Sequence, residues 1–129
     1  MKRLSDVLMV ARGLVELCRY DVRHGLLAID NVESHLGAPV ATAPVSDAGL
    51  ESRLCEAMAL AACLYWKPVQ CLHRSICTVR LLRSRGLSAR LVIGFRAEPF
   101  VSHAWVEVSG RIVNDSPAYR ERLRVLYTA

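Results

Sequence analysis

Three residues stand out for the chemistry their types allow: Cys71, His103 and Asp115. A thiolate is a nucleophile, an imidazole can take and return its proton, and a carboxylate beside the imidazole fixes its tautomer and stabilises the imidazolium formed during reaction. Cys71 closely follows Pro68 and falls in the first turn of a predicted helix over 70–85. Backbone N–H groups in a first helical turn lack intrahelical partners, and the helix dipole is positive there. Both effects favour a thiolate over a thiol, and the same N–H groups can stabilise an oxyanion on an attacked carbonyl. The other cysteines, Cys18, Cys55, Cys63 and Cys77, lie within apolar helical stretches and read as small buried hydrophobes.

His103 lies in a β-rich run, VSHAWVEV (101–108). The connection Val108-Ser109-Gly110 suits a three-residue hairpin loop with Gly110 in the left-handed conformation. In that register Glu107 faces Arg111, Trp105 faces Val113 and His103 faces Asp115. The opposite charges of Glu107 and Arg111 support it. A two-residue loop would shift the pairing by one and send Asp115 to the opposite face. Asp115 also precedes Ser116-Pro117, where Asp is a common turn former. Asn114 is an alternative orienter, because a Cys-His-Asn arrangement is workable. Trp105 shares His103's side of the strand, either as a shield against water or as ordinary core. Gln70 is a candidate oxyanion donor, and Arg74 lines a substrate groove or sits in solvent. His73 points elsewhere on the helix of Cys71, while His24 and His35 read as surface residues.

The elements that must position these groups change character midway. A helix is predicted from Leu4 to about Arg23, with Leu4, Val7, Leu8, Ala11, Leu14, Val15 and Cys18 on its apolar face. A second helical stretch from about Val22 ends at Gly37, and 37–46 (GAPVATAPVS) reads as a loop. Asp47 caps a helix over 48–66, and 70–85 follows with Leu72, Ile76, Val79 and Leu81 or Leu82 as its stripe, stopped by Gly86. From Ala89 the period becomes two: strands are predicted over 89–96, 101–108 and 111–115. The tail, 116–129, is short, basic and uninformative. Helices followed by a small antiparallel sheet make an α+β domain.

The length of 129 residues suits one domain, 1–129, divided into a helical portion (1–69) and a catalytic core (70–115). A hydrophobic share of 53% excludes a disordered chain. No apolar run reaches the ~18 residues of a membrane span, and the N-terminus lacks a signal peptide's continuous apolar stretch and cleavage site, so the expected location is cytoplasmic. Five cysteines without a CxxC pair argue against a disulfide framework and a structural zinc site. The net charge of +5 is scattered and not interleaved with aromatics. That pattern points away from nucleic acid and fits attraction to an acidic peptide or protein.

The segments CLHRS (71–75), LLRSRG (81–86), LVIGFR (91–96), SHAWVEV (102–108) and GRIVND (110–115), in this order and spacing, resemble the transglutaminase-like leader peptidases of lasso peptide biosynthesis. The resemblance is close over Gln70 to Asp115 and general over the helical half. It implies a papain-like, transglutaminase-like fold in which Cys71 is the nucleophile, His103 of SHAW the base and Asp115 of VND the orienter, with no cofactor and no metal. It implies removal of the leader from a ribosomally made precursor peptide, before a separate ATP-dependent synthetase closes the macrolactam. The chain resembles the stand-alone form, whose implied partners are the precursor, a separate leader-recognition protein and, at one remove, the synthetase. Transfer of the acyl group to an amine, and a non-catalytic peptide-binding adaptor, are the alternatives.

Overall fold

The computed structural model describes residues 3–26, 36, 47–98 and 100–129, with side chains throughout except at 3 and 23–26. Apart from Leu36, which is helical and buried in the main core, the helix expected over 22–37 beyond Leu26, the loop expected over 37–46, His35 and the side chain of His24 fall outside the described residues. Among the described residues three long helices come first: α1 (Arg3–Leu26), α2 (Ala48–Leu64) and α3 (Cys71–Arg83). They are followed by β1 (Ala89–Ala97), β2 (Phe100–Val108), β3 (Arg111–Ile112), the short α4 (Tyr119–Arg122) and β4 (Arg124–Thr128). The strands form one antiparallel sheet in the order β3-β2-β1-β4. This is the α+β architecture expected from the change of period.

The helix ends follow local chemistry. Asp47 accepts the Leu50 N–H at 3.1 Å and donates its own N–H to Glu51 at 2.7 Å, a reciprocal cap that starts α2. Past α3, Gly86 takes a φ of 80°, and the Leu87 N–H returns to the Leu82 carbonyl at 3.2 Å. Those bonds close the helix in the left-handed stop that glycine favours.

The sheet buries both faces, but unequally. Ala104, Val106 and Val108 of β2, with Ala89 and Leu91 of β1, join Ile76, Val79, Leu81 and Leu82 of α3 in the main core. On the opposite face Val92, Trp105 and Leu123 form a smaller cluster, with Ile112 and Tyr119 against it. Gly94 makes room for that cluster. A Cβ there would lie 2.5 Å from the Trp105 ring.

Four expectations are corrected. First, α1 turns a different face inward. Leu4, Val7, Leu8, Ala11, Val15 and Cys18 are exposed, whereas Met9, Gly13, Glu16 and Leu17 are buried. The reason is Glu16, which accepts from Arg80 Nε at 2.8 Å and Arg12 Nε at 3.0 Å. Burial pushes the Glu16 carboxyl up, but these two guanidinium groups outweigh it and hold the group below its usual range. Second, among the cysteines Cys77 is buried as expected, but Cys55 is only half-buried and Cys18 and Cys63 are exposed.

Third, the β2–β3 loop holds two residues, so Val108 faces Arg111 and Glu107 faces Ile112. Ser109 (φ 52°) and Gly110 (φ 77°) both lie in the left-handed region, as a tight I′ turn requires. The third strand expected over 111–115 stops at Ile112. Fourth, the tail is structured. It supplies α4 and the edge strand β4, whose residue Val125 pairs with Gly94.

Candidate active site

Cys71 is the first residue of α3, where the helix leaves backbone N–H groups without intrahelical acceptors. Its side chain is half-buried against the helical core. One turn on, Ser75 donates its hydroxyl to the carbonyl of Ala104 at 3.1 Å, and Ala104 is the chain neighbour of His103. The first turns of α3 are thus fastened to β2 next to the imidazole.

His103 and Asp115 meet directly. His103 Nε2 lies 2.7 Å from Asp115 Oδ2, with the two side chains only 18% and 22% exposed. Since an ionised carboxylate only accepts, Nε2 carries the proton in the neutral ring and Nδ1 is left as the basic nitrogen. Arg74, on α3, brings Nη2 within 3.7 Å of the same Oδ2. The other carboxylate oxygen accepts the Ser116 N–H at 2.8 Å. Asp115 therefore forms a turn and orients a histidine at once, so the two readings of this residue were never exclusive.

The contact survives the two-residue loop because the chain leaves the sheet early. Val113 still donates to the Val106 carbonyl at 3.0 Å, but the Val106 N–H goes to the Asn114 side-chain oxygen at 2.8 Å instead of a strand carbonyl. Freed from the ladder, 113–115 crosses the edge of β2 and returns Asp115 to His103. Asn114 does not orient the base. Its amide reaches Ser75 Oγ at 3.4 Å and so braces α3 against the sheet edge.

Sequence reasoning missed the cover over the imidazole. Tyr119 of α4 stacks on His103 with ring centroids 4.3 Å apart and 27° between planes, and Trp105 flanks the pair, 6.3 Å from the imidazole and 6.1 Å from the tyrosine ring. Trp105 is fully buried and donates Nε1–H to Glu107 at 2.9 Å, so it is core and an aromatic neighbour of His103 together. Arg120 grips the same carboxylate through two hydrogen bonds of 2.7 Å, which anchors α4 over the site. Burial pushes the Glu107 carboxyl up, and the bonds from Arg120 and Trp105 more than reverse it. No periodicity marks Tyr119. The cue available in sequence was one of two tyrosines in a basic tail.

The remaining candidates are placed elsewhere. His73 is buried on the other side of α3, its Nε2 3.1 Å from the Leu17 carbonyl and its ring stacked on Tyr20 at 4.3 Å. Gln70 caps α3 without a side-chain bond to it. The Cys71 thiol makes no hydrogen bond to His103 or Asp115 among the described residues. Those residues also contain no cluster of His, Cys, Asp and Glu able to hold a metal ion, and no helix long and apolar enough to cross a membrane.

The fold thus sets a half-buried thiol at the start of α3 and a carboxylate-bound imidazole on β2, the strand to which Ser75 of that helix is hydrogen-bonded. The chain belongs to the transglutaminase-like superfamily, whose family model matches residues 14–128. It is also similar to the microcin J25-processing protein McjB of Escherichia coli, with 50% identity over 56 residues. That match covers 43% of this chain and 27% of the relative, so it spans about a quarter of that protein's length. No solved structure matches the chain.

Proposed function

We propose that this protein is a cytoplasmic cysteine peptidase that removes the leader from a lasso peptide precursor through a Cys71-His103-Asp115 triad. The observation that carries the reading is the 2.7 Å bond from His103 Nε2 to Asp115, beside the helix that begins at Cys71. The likeness to a microcin J25-processing protein supports a peptide substrate. His103 Nδ1 takes the thiol proton, and the sulfur attacks the carbonyl carbon of the scissile bond. The oxyanion is met by N–H groups at the start of α3. The imidazolium then protonates the leaving amine, which departs and leaves a thioester. A water molecule, deprotonated by the same imidazole, hydrolyses the thioester and restores the thiol. Asp115 keeps Nε2 protonated throughout and balances the charge that the ring acquires.

A separate leader-recognition protein raises the rate by delivering the precursor. The superfamily also favours a second reading, in which an amine takes the place of water and the product is an amide. Mass spectrometry tests both. Lasso precursor peptides, that of microcin J25 among them, are incubated with the protein, with and without the recognition protein. Hydrolysis gives two fragments whose masses sum to the precursor plus one water; amine capture gives a fragment heavier by the amine less water. Cys71→Ala lowers the rate by about 10³-fold or more. A Cys71→Ala protein that processes precursor like the parent sinks the enzymatic reading and leaves a peptide-binding adaptor.

A further inference from the structure

We propose that the exposed edge of β2 beside His103 takes an extended peptide as an added strand, and that this edge, through Ser102, is the main-chain docking site of the substrate. The inference rests on the peptidase reading for the identity of the peptide.

The direction of the backbone groups follows from the ladder. Val106 sends both its N–H and its carbonyl away from β1, to Asn114 and Val113. The Ala104 carbonyl points the same way, to Ser75. Alternate residues of an antiparallel strand share a hydrogen-bonding side, so the N–H and carbonyl of Ser102 also face away from β1. Ser102 is exposed. Among the described residues β3 covers Glu107 and Val108, Asn114 and Ser75 cover 104–106, and β4 covers the far side of β1. The uncovered length of β2 is the stretch that leads into His103.

Folded proteins guard an open strand edge with lysine, proline, a bulge or an inward-facing charge. Phe100-Val101-Ser102 carries none of these, and Phe100 and Val101 are 73% and 36% exposed. An edge left unguarded beside a base suits a strand that comes and goes. A peptide paired with Ser102 would gain directional main-chain hydrogen bonds without regard to its sequence. Its side chains would alternate between the face of Phe100 and that of Val101, which suits apolar residues at those positions. Continuing along the edge, it reaches His103 and the first turns of α3, which Ser75 holds against the same strand.

Ser102→Pro tests this, since it removes the outward N–H and fills the edge with the ring. Ser102 gives no hydrogen bond to β1, so the β1–β2 ladder survives, as proline at an edge position allows. Fluorescein-labelled lasso precursor peptides, that of microcin J25 among them, are titrated against Cys71→Ala and read by anisotropy. Adding Ser102→Pro should raise Kd about tenfold or more, and adding Ser102→Ala should leave it unchanged. Melting temperature and the rate of Cys71 alkylation by iodoacetamide report that fold and site persist. Equal affinity with Ser102→Pro, or no binding by Cys71→Ala at all, overturns the proposal. So does a change from dimer to monomer in gel filtration with peptide affinity intact, which would assign the edge to a second copy. Binding lost with Ser102→Pro by a protein whose parent cleaves nothing would retain the docking edge and remove the peptidase. Cleavage by Ser102→Pro at the parent's KM would do the reverse.

Discussion

Tyr119 lies flat on the imidazole of His103, 4.3 Å between centroids. The stack limits rotation of the ring, so Nε2 stays on Asp115. Tyr119→Phe keeps the ring and should leave kcat/KM near the parent value. Tyr119→Ala removes it and should lower kcat/KM about tenfold, mainly in kcat, since ring placement and not peptide affinity is lost.

Asp115 acts on the ring through one oxygen and on the turn through the other. Asp115→Ala should lower kcat by about 10²-fold or more, because the tautomer and the imidazolium lose their support. Asp115→Asn should fall between, since the carboxamide oxygen can still accept from Nε2, while its NH2 group leaves the Ser116 N–H without an acceptor. Single-turnover cleavage of a precursor peptide separates the three proteins. Equal rates for Asp115→Ala and the parent would remove Asp115 from the mechanism.

Glu16 and Glu107 are both held below the usual 4.5 for a glutamate by their arginine partners. A carboxyl depressed in the fold contributes stability that is fully present above its unfolded value and is lost as pH falls through the folded one. Melting temperature should therefore be flat near neutrality and decline below about 4.5. Glu107→Gln should flatten part of that decline. Glu107→Ala leaves the buried Trp105 N–H without its acceptor and should cost about 2–3 kcal/mol in denaturant titration, a figure reduced for the exposure of Arg120.

Gly94 stands opposite His103 in the ladder and beneath the Trp105 ring. Gly94→Ala drives a methyl into that ring and should destabilise the protein by about 1–3 kcal/mol. Because Trp105 flanks the stacked pair of Tyr119 and His103, the same change should lower kcat even where the protein remains folded.

Burial pushes the Cys55 thiol up to about 12, with Glu51 adding to the effect, and burial likewise raises Cys77. Iodoacetamide followed by peptide mapping should therefore leave Cys55 and Cys77 unmodified in the folded protein. The exposed Cys18 and Cys63 should react at ordinary rates, and Cys71 fastest. His103→Ala should slow Cys71 alone.

Much of this was legible from residue order. Cys71 at a helix start needed only Pro68, the apolar stripe from Leu72 to Leu82 and the stop at Gly86. The His103–Asp115 contact was anticipated through the wrong register. The hairpin is tighter than expected, and the pair forms because Asn114 takes the place of a strand residue, a substitution that alternation cannot reveal. Face assignment on α1 failed because apolar residues outnumber the positions the core can hold. The choice fell to an ion pair between Glu16 and Arg80, which lie far apart in sequence. The aromatic cover was invisible for the same reason: Tyr119 is placed by Arg120 gripping a glutamate on another element.

The hold of α4 on Glu107 has a consequence for synthesis. The helix bearing Cys71 and the strand bearing His103 leave the ribosome before Asp115, Tyr119, Arg120 and β4 do. A nascent chain can therefore display its sulfur and its imidazole, but it has neither the carboxylate nor the aromatic roof. The proposed triad is therefore complete only late in translation, once the carboxylate and the aromatic cover have joined the fold.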